Sequence, residues 1–253
     1  MKNIRLISRL DIKAPHLVKG IQFEGLRKLG DPNSFALKYY NDFVDEIYYI
    51  DIVASLYDRN SLTDIISNTT NEVFVPITVG GGLRNLNDIE KVLRAGADKV
   101  SVNTAAIKNP DIINLIAKRF GSSCIALSIE AKKKENNNWE AYYDNGREQS
   151  GLNVLEWAKE GQERGAGEIL ITSVDRDGTK QGFDINLAQA VSNKIKVPLI
   201  ISGGFGKLED ISDLASVSNL GGIAIGSAVH YDELTFRDIR NYCIKEGLPV
   251  RKI

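Results

Sequence analysis

The sequence predicts an α/β fold, a (β/α)8 TIM barrel built from two similar half-barrels. Short apolar segments rich in β-branched residues alternate with longer helical patterns, which is typical of βα units around a parallel sheet. Eight such strand segments occur in 253 residues, a length that fits one barrel. The pattern also repeats between the two halves of the chain. We therefore expect residues 1–253 to form a single barrel domain.

The internal repeat has three parts. The segment FVPITVGGG (74–82) is echoed by IKVPLIISGG (195–204), and both run from Val-Pro to glycines. ADKVSVNTA (97–105) is echoed by GGIAIGSA (221–228), and the first strand of each half ends in an acid, Asp11 or Glu130. Such a repeat predicts a site of approximate twofold symmetry, for a substrate with two phosphates and two protein acids at its centre.

The predicted strands have nearly continuous Ile, Val, Leu and Tyr interiors, as expected for strands buried on both faces. They cover residues 4–12, 46–53, 76–80, 99–103, 123–131, 168–174, 198–203 and 222–226. Helical patterns lie between them; in residues 86–96, apolar residues recur at i, i+3 and i+4 until Gly96 ends the helix. A doubly wound open sheet is the alternative, but the duplication favours closure of two four-unit halves.

Two segments depart from the βα pattern. Residues 13–33 contain two prolines and three glycines, and they form too long a connection for an ordinary βα loop. We expect an irregular, functional loop there. Residues 132–146 are predicted to form a small β-hairpin with a polar tip.

Composition excludes several classes of function. A net charge of −1 points to neither a nucleic acid nor a membrane surface as partner. Cys124 and Cys243 have no Cys-x-x-Cys spacing, so we expect no disulfide, no metal site and no cofactor. The N-terminus lacks a signal-peptide pattern, and no apolar run approaches the ~20 residues of a membrane helix. We expect a cytoplasmic protein.

The chemistry of a barrel lies at the carboxyl ends of its strands. Asp11 and Glu130 should face each other there, and two carboxylates in different surroundings can divide acid and base roles. The one in the more apolar pocket keeps its proton, and the one near cations stays ionised. Lys19 supplies such a cation or binds a phosphate. Asp51 and Asp175 also end strands, where they either join the site or bind helix and loop amides.

Glycine-rich strand ends bring backbone N–H groups close to an anion. Gly80, Gly81 and Gly82 with Asn103 and Thr104 should form one phosphate site. The second site is expected to contain Gly203, Gly204, Gly226 and Ser227.

The opposite ends of four strands begin with charged residues: Arg5, Glu46, Lys99 and Glu168. Scattered surface charges are one interpretation. If the four converge, they form a ring of ion pairs at the bottom of the barrel, where pairing makes burial tolerable.

Across nearly its whole length the chain resembles the cyclase subunit of imidazole glycerol phosphate synthase, the HisF family. The motifs that carry the resemblance are LDIK (10–13), VKG (18–20), GDP (30–32), DIVAS (51–55), TVGGG (78–82), GADKVSVNTAA (96–106), GAGEIL (165–170) and DRDGT (175–179).

The resemblance implies a partner and a reaction. A HisH-like glutaminase subunit would dock at the barrel bottom, with Asp98 as a contact. Its ammonia would pass a gate of Arg5, Glu46, Lys99 and Glu168 and attack a small-molecule bisphosphate substrate at the top. The implied site comprises the catalytic residues Asp11 and Glu130 and the substrate-binding residues Lys19, Gly82, Asn103, Thr104, Asp177, Gly178, Gly204, Gly226 and Ser227.

Four departures from the family pattern indicate a diverged paralogue. Glu130 replaces an aspartate, and one more methylene moves the carboxyl group by ~1.5 Å. Arg9 replaces a small residue and is expected to lower the pKa of Asp11. Ala14-Pro15-His16 replaces an Asp-Gly-Arg-like turn, and Phe205 replaces an alanine beside the second phosphate site.

Three functions follow from these observations. The leading one converts a phosphoribulosyl-aminoimidazole carboxamide bisphosphate to imidazole glycerol phosphate and aminoimidazole carboxamide ribotide in histidine biosynthesis. The second is ammonia channelling for acetamidino-sugar formation in surface polysaccharide synthesis. The third is a stand-alone sugar-phosphate isomerase of the sister barrel family, which would not need a gate at the bottom.

Overall fold

A computed structural model describes residues 3–54, 62–135 and 138–253. Ser55, the last residue of the 51–55 motif, and part of the predicted polar hairpin tip lie outside the described residues. In chain order the strands are β1 (Arg5–Lys13), β2 (His16–Ile21), β3 (Glu24–Gly30), β4 (Glu46–Asp51), β5 (Ile77–Gly80), β6 (Lys99–Val102), β7 (Ile125–Lys133), β8 (Trp139–Tyr143), β9 (Glu148–Asn153), β10 (Glu168–Ser173), β11 (Leu199–Ser202) and β12 (Leu220–Ile225).

Eight of these strands close into a parallel barrel, which confirms the predicted fold class. The order around the barrel is β1, β4, β5, β6, β7, β10, β11 and β12. Closure is completed by the parallel pairing of β12 with β1 and of β7 with β10. The predicted strand bounds agree with the observed ones to within about two residues, the usual uncertainty at strand ends.

Helices cover the outside of the barrel. They are α1 (Pro32–Asn41), α2 (Thr63–Thr69), α3 (Leu86–Arg94), α4 (Thr104–Lys108), α5 (Asp111–Phe120), α6 (Val154–Glu163), α7 (Ile185–Ser192), α8 (Ser227–His230) and α9 (Phe236–Lys245), with 3-10 helices at Ser122–Cys124 and Leu208–Ser216. Among the described helices, none is long and apolar enough to cross a membrane. The helix predicted in residues 86–96 is α3. The side chain of its N-cap residue, Asn85, accepts hydrogen bonds from the backbone N–H groups of Asn87 and Asp88.

The prediction of an irregular loop at residues 13–33 was wrong, because most of the segment forms the antiparallel hairpin β2–β3. Its turn uses Gln22 and Phe23, both with positive φ. Gly20 is required for close pairing, since an added Cβ would lie 2.2 Å from the carbonyl oxygen of Glu24. The second hairpin was predicted correctly: β7 continues into antiparallel β8, and β9 extends it.

The backbone reproduces the internal repeat. Each hairpin follows the first strand of its half, β1 or β7. Gly81 and Gly203 have φ values of 90° and 92°, and a Cβ on either would collide with the carbonyl oxygen at the end of a neighbouring strand. Asn103 and Gly226, which precede α4 and α8, have φ/ψ of −130°/−82° and −126°/−85°. The two half-barrels therefore end their strands in the same conformation.

The barrel interior has three levels, because side chains alternate between the two faces of each strand. Along β1 the interior side chains are Arg5, Ile7, Arg9 and Asp11. The middle level is an apolar cluster formed by Ile7, Tyr48, Ala126, Leu170, Ile200 and Ala224. Charged and polar groups lie below and above it. We call the end with Arg5 the base and the end with Asp11 the mouth.

Candidate active site

Asp11 lies at the mouth between two buried cations. Nε of Arg9 donates to one carboxylate oxygen at 2.9 Å, and Nζ of Lys19 donates to the other at 3.0 Å. Burial acts to raise the pKa of Asp11, but Arg9 and Lys19 together outweigh it and hold the pKa well below its usual range. Asp11 is therefore ionised at neutral pH, as expected for the acid beside Arg9.

Lys19 belongs to the hairpin β2–β3, which folds back over the mouth. Besides Asp11 it donates to Oδ1 of Asp177 at 2.7 Å. The turn of the hairpin is fixed to the loop that follows β10, because the N–H of Gln22 donates to the carbonyl oxygen of Asp177 at 2.8 Å. The segment that was predicted to be a functional loop is a hairpin, and it places the cation Lys19 in the site.

Glu130, on β7, is the second acid of the mouth and has the opposite electrostatic environment. Burial raises its pKa to about 7, and the opposing effects of the Gly146 N–H, Arg9 and Asn103 are smaller. The Gly146 N–H donates to Oε2 at 2.7 Å. The two carboxyl groups therefore differ in charge at neutral pH: Glu130 carries a proton in a large fraction of molecules and Asp11 does not.

The tip of hairpin β8–β9 holds Glu130 in place. Asp144, Asn145 and Gly146 have φ values of 50°, 59° and 72°, the left-handed conformation that Asn and Gly tolerate best. The N–H of Asp144 donates to Oγ1 of Thr104 at 3.1 Å. The tip therefore joins Glu130 to the residues predicted to bind the first phosphate. The Asn-Gly pair was a turn signal that sequence reasoning did not use.

Arg9 occupies the centre of the mouth and is almost completely buried. Its Nη1 donates to Oγ1 of Thr172 at 2.7 Å and to Oγ of Ser202 at 3.3 Å. The guanidinium also lies 5.4 Å from the ring centroid of Phe23. Thr172 and Ser202 lie at the carboxyl ends of β10 and β11. They were not predicted as site residues, because their role depends on Arg9, which is far away in the sequence.

Cavities open at the mouth on both sides of Arg9. The first cavity, of about 290 Å³, includes Gly82, Asn103, Thr104 and Glu130 in its lining. The second cavity has a volume of about 20 Å³. Its lining includes Lys19, Asp177, Gly178, Gly204, Phe205, Gly226 and Ser227. The residues predicted for each phosphate are thus brought together, and a third cavity of about 630 Å³, lined in part by Lys19, Gly178 and Ser227, adjoins the second site.

For Asp51 and Asp175, the sequence left open whether they belong to the site or bind backbone amides. Oδ2 of Asp175 accepts the Lys133 N–H at 2.7 Å, so Asp175 binds a loop amide. Asp51 lines the first cavity, and its Oδ1 also accepts the Val53 N–H at 3.1 Å. Asp51 therefore contributes both to the cavity wall and to the loop that follows β4.

The four charged residues at the base converge into a closed ring. Arg5 contacts Glu46 at 2.5 Å and Glu168 at 2.6 Å, and Lys99 contacts the same two acids at 3.0 Å and 2.9 Å. Cations and carboxylates alternate, so the ring is neutral overall. Thr78 adds a hydrogen bond to Oε1 of Glu46 at 2.6 Å. We call Arg5, Glu46, Lys99 and Glu168 the basal ring.

Two residues adjoin the basal ring. Tyr48, in the apolar level above it, is fully buried; burial, then Glu168 and Glu46, raise its pKa well above the ordinary value. Its hydroxyl is therefore neutral. Asp98 is exposed at the base edge, with Oδ2 accepting the Ile77 N–H at 2.8 Å.

Comparisons with known proteins identify the family. Residues 5–235 match the family described as "Histidine biosynthesis protein". The chain is 55% identical over 212 residues to the "Imidazole glycerol phosphate synthase subunit HisF" of Legionella pneumophila, covering 84% of this chain and 100% of that protein. It is 45% identical over 253 residues to the protein of the same name from Prochlorococcus marinus subsp. pastoris, covering 99% of each. The chain belongs to the HisF family.

The part of the chain that matches the family includes the whole candidate site. Every residue of the mouth and of the basal ring falls within residues 5–235. In the described residues of this HisF-family chain, no group of three or more His, Cys, Asp or Glu side chains is arranged to hold a metal ion. The chemistry available at the mouth is proton transfer by two carboxyl groups, with cations and backbone N–H groups to bind anions.

Proposed function

We propose that this HisF-family chain is the cyclase subunit of an imidazole glycerol phosphate synthase. It uses ammonia to convert a phosphoribulosyl-aminoimidazole carboxamide bisphosphate to imidazole glycerol phosphate and aminoimidazole carboxamide ribotide in histidine biosynthesis. One observation carries the proposal: two carboxyl groups whose pKa values are shifted in opposite directions lie at the mouth, on the same axis as a closed basal ring. The names of the relatives support it.

The two phosphates of the substrate bind at the two cavities. Gly82, Asn103 and Thr104 take one phosphate in the first cavity, which is large enough as it stands. The second phosphate binds at Gly178, Gly204, Gly226 and Ser227, with Lys19 as its cation and Asp177 as the partner of Lys19. That cavity is small, but it shares Lys19, Gly178 and Ser227 with an adjoining cavity of about 630 Å³, which provides further room for the substrate.

The two carboxyl groups divide the proton transfers of the first step. The lone pair of ammonia attacks the ketone carbon of the ribulosyl group, and the carbonyl oxygen gains the electron pair. Protonated Glu130 gives that oxygen a proton, and ionised Asp11 takes one from the positively charged nitrogen. The oxygen later leaves as water, and the resulting imine carries the new nitrogen into the imidazole ring.

The basal ring is the entry gate for ammonia from a glutaminase subunit docked at the base. Two exposed residues on that face support a partner surface. Asp98 lies beside Lys99 of the ring, and Phe74 is 74% exposed just before β5. A heterodimer located in the cytoplasm stays a prediction from the sequence and the family.

Turnover of the bisphosphate by the purified chain, with an ammonium salt and no partner, tests the proposed function. We expect both products in equal amounts, because the mouth contains all the groups that the chemistry uses. A partner with glutamine should replace the ammonium salt. An unchanged bisphosphate at high ammonium concentration would refute the cyclase assignment.

A second candidate is an ammonia-channelling subunit for acetamidino-sugar formation. It is favoured by Arg9, a departure from the family pattern that lies in the mouth between the first and second cavities. The basal ring serves ammonia delivery equally well for this acceptor, whereas a stand-alone isomerase has no use for it. Supplying an acetamido sugar in place of the bisphosphate in the same assay separates the two acceptors.

A further inference from the structure

Arg9 lies between the two cavities. Of the described residues it alone lines both the first and the second cavity. Its Nε is paired with Asp11, and its Nη1 with Thr172 and Ser202. Nη2 makes no hydrogen bond within residues 3–54, 62–135 and 138–253. A fixed cation with a free donor therefore stands where the middle of a substrate spanning both cavities would pass.

Holding Asp11 ionised does not by itself account for this placement. Lys19 already pairs with the other carboxylate oxygen of Asp11. A guanidinium has five N–H donors, and Nη2 of Arg9 is not one of the fully enclosed polar atoms that lack a partner in the described residues, so it keeps some accessible surface. The hydroxyl groups of Thr172 and Ser202 fix the orientation of Arg9, so the guanidinium cannot turn away from the two cavities that it lines without breaking those bonds.

We propose that Arg9 contacts the substrate and stabilises the negative charge that forms on the carbonyl oxygen when ammonia attacks. The inference rests on the proposed function and assigns one step of it. The nitrogen lone pair forms the new C–N bond, the carbonyl π pair moves to oxygen, and Nη2–H donates to that oxygen. Glu130 then transfers its proton to the same oxygen, which becomes a hydroxyl group. The proton that Asp11 has taken from the nitrogen is the second one that this hydroxyl needs to leave as water.

This role defines the chemistry of the substrate. The substrate must have a carbonyl oxygen between its two ends, and an anionic end that fits the first cavity. The carbonyl is a ketone in the bisphosphate and an amide in an acetamido sugar, so either acceptor can use the same donor. Removing one preorganised donor to such an oxygen typically lowers kcat by ~10²–10³-fold.

Steady-state kinetics of Arg9→Gln with saturating ammonium and the bisphosphate test the proposal. We expect kcat to fall ~10²–10³-fold while KM changes only a few-fold, since the lost interaction forms in the transition state. Arg237→Gln is the matched control, because Arg237 is an exposed arginine on α9 outside both cavities. It should have wild-type kinetics.

A double variant distinguishes direct action from action through Asp11. If Arg9 works on the carbonyl oxygen, Arg9→Gln combined with Asp11→Asn is slower than Asp11→Asn alone. Equal rates for the double variant and Asp11→Asn would overturn the proposal, because Arg9 would then act only through Asp11. If Arg9→Gln does not fold, Arg9→Met replaces it, because methionine has a long side chain without an N–H donor, and an unchanged kcat in that variant would likewise overturn the proposal.

The wild-type protein provides the remaining comparison. Wild-type turnover together with undiminished kcat in Arg9→Gln overturns the role of Arg9 and leaves the proposed function standing. Absence of turnover in the wild-type protein overturns the proposed function, and this step with it.

Discussion

At the scale of single residues, the surroundings of the two carboxyl groups at the mouth shift their pKa values in opposite directions. Asp11 has two cations in direct contact, whereas Glu130 has a backbone N–H and a largely enclosed environment. Division of acid and base roles was predictable from the paired strand ends. Which group would take which role depended on Arg9 and Lys19, and on how completely each carboxyl is enclosed.

Asp11→Asn should lower ammonium-dependent turnover by ~10²–10⁴-fold, the usual loss when one acid or base is removed. It also leaves two buried cations without their shared carboxylate, so we expect a lower melting temperature. Asp175→Asn is the control, because an amide oxygen can still accept the Lys133 N–H. Comparable turnover in the two purified variants would remove Asp11 from the mechanism.

The pH dependence of turnover should report Glu130. Its pKa is raised to about 7, so the protonated, acid-competent form predominates below that pH and is lost as pH rises through it. At a fixed concentration of free ammonia, kcat should therefore fall as pH increases through about 7. A rate that instead climbs through this range would mean that Glu130 acts as a base.

At the scale of elements, the two half-barrels are alike in backbone and different in side chains. Strand positions were predictable because buried β-branched residues mark them clearly. Hairpin β2–β3 was not predictable, since β3 is mostly exposed and its two glycines, Arg27 and Lys28 do not form a strand pattern. The shape of the second phosphate site was also beyond prediction, because it depends on how Lys19, Asp177 and Phe205 pack around the small cavity there.

Gly146→Ala tests the role of the tip of hairpin β8–β9. Gly146 has φ +72°, and an added Cβ would lie 2.9 Å from Phe23, so the tip should shift and lose its bond to Glu130. That N–H lowers the pKa of Glu130, so losing it should move the falling limb of the pH profile upward.

Gly151→Ala is the matched control for this change. Gly151 also has positive φ, +74°, but its Cβ would meet nothing within 4 Å. The variant therefore has the same backbone strain without displacing the tip. Identical pH profiles for Gly146→Ala and Gly151→Ala would show that the tip does not set the proton affinity of Glu130.

At the scale of the whole molecule, the basal ring, the apolar level and the mouth are stacked along one axis. Convergence of the ring was predictable, since strand starts in a closed barrel meet at one end. That each cation of the ring contacts both carboxylates could not be predicted from the sequence alone. The central claim of the account is that ammonia enters through this ring and reacts at the mouth.

Lys99→Met tests that claim directly when turnover with glutamine and the partner is compared with turnover on ammonium salt alone. Free ammonia can reach the mouth from the open top, so only the glutamine-dependent rate should change strongly. Lys91→Met, at an exposed lysine on α3, is the control and should change neither rate. If the ring only stabilises the barrel, removing one partner costs ~3–5 kcal/mol. Both rates would then fall together with the melting temperature, and that result would contradict the account.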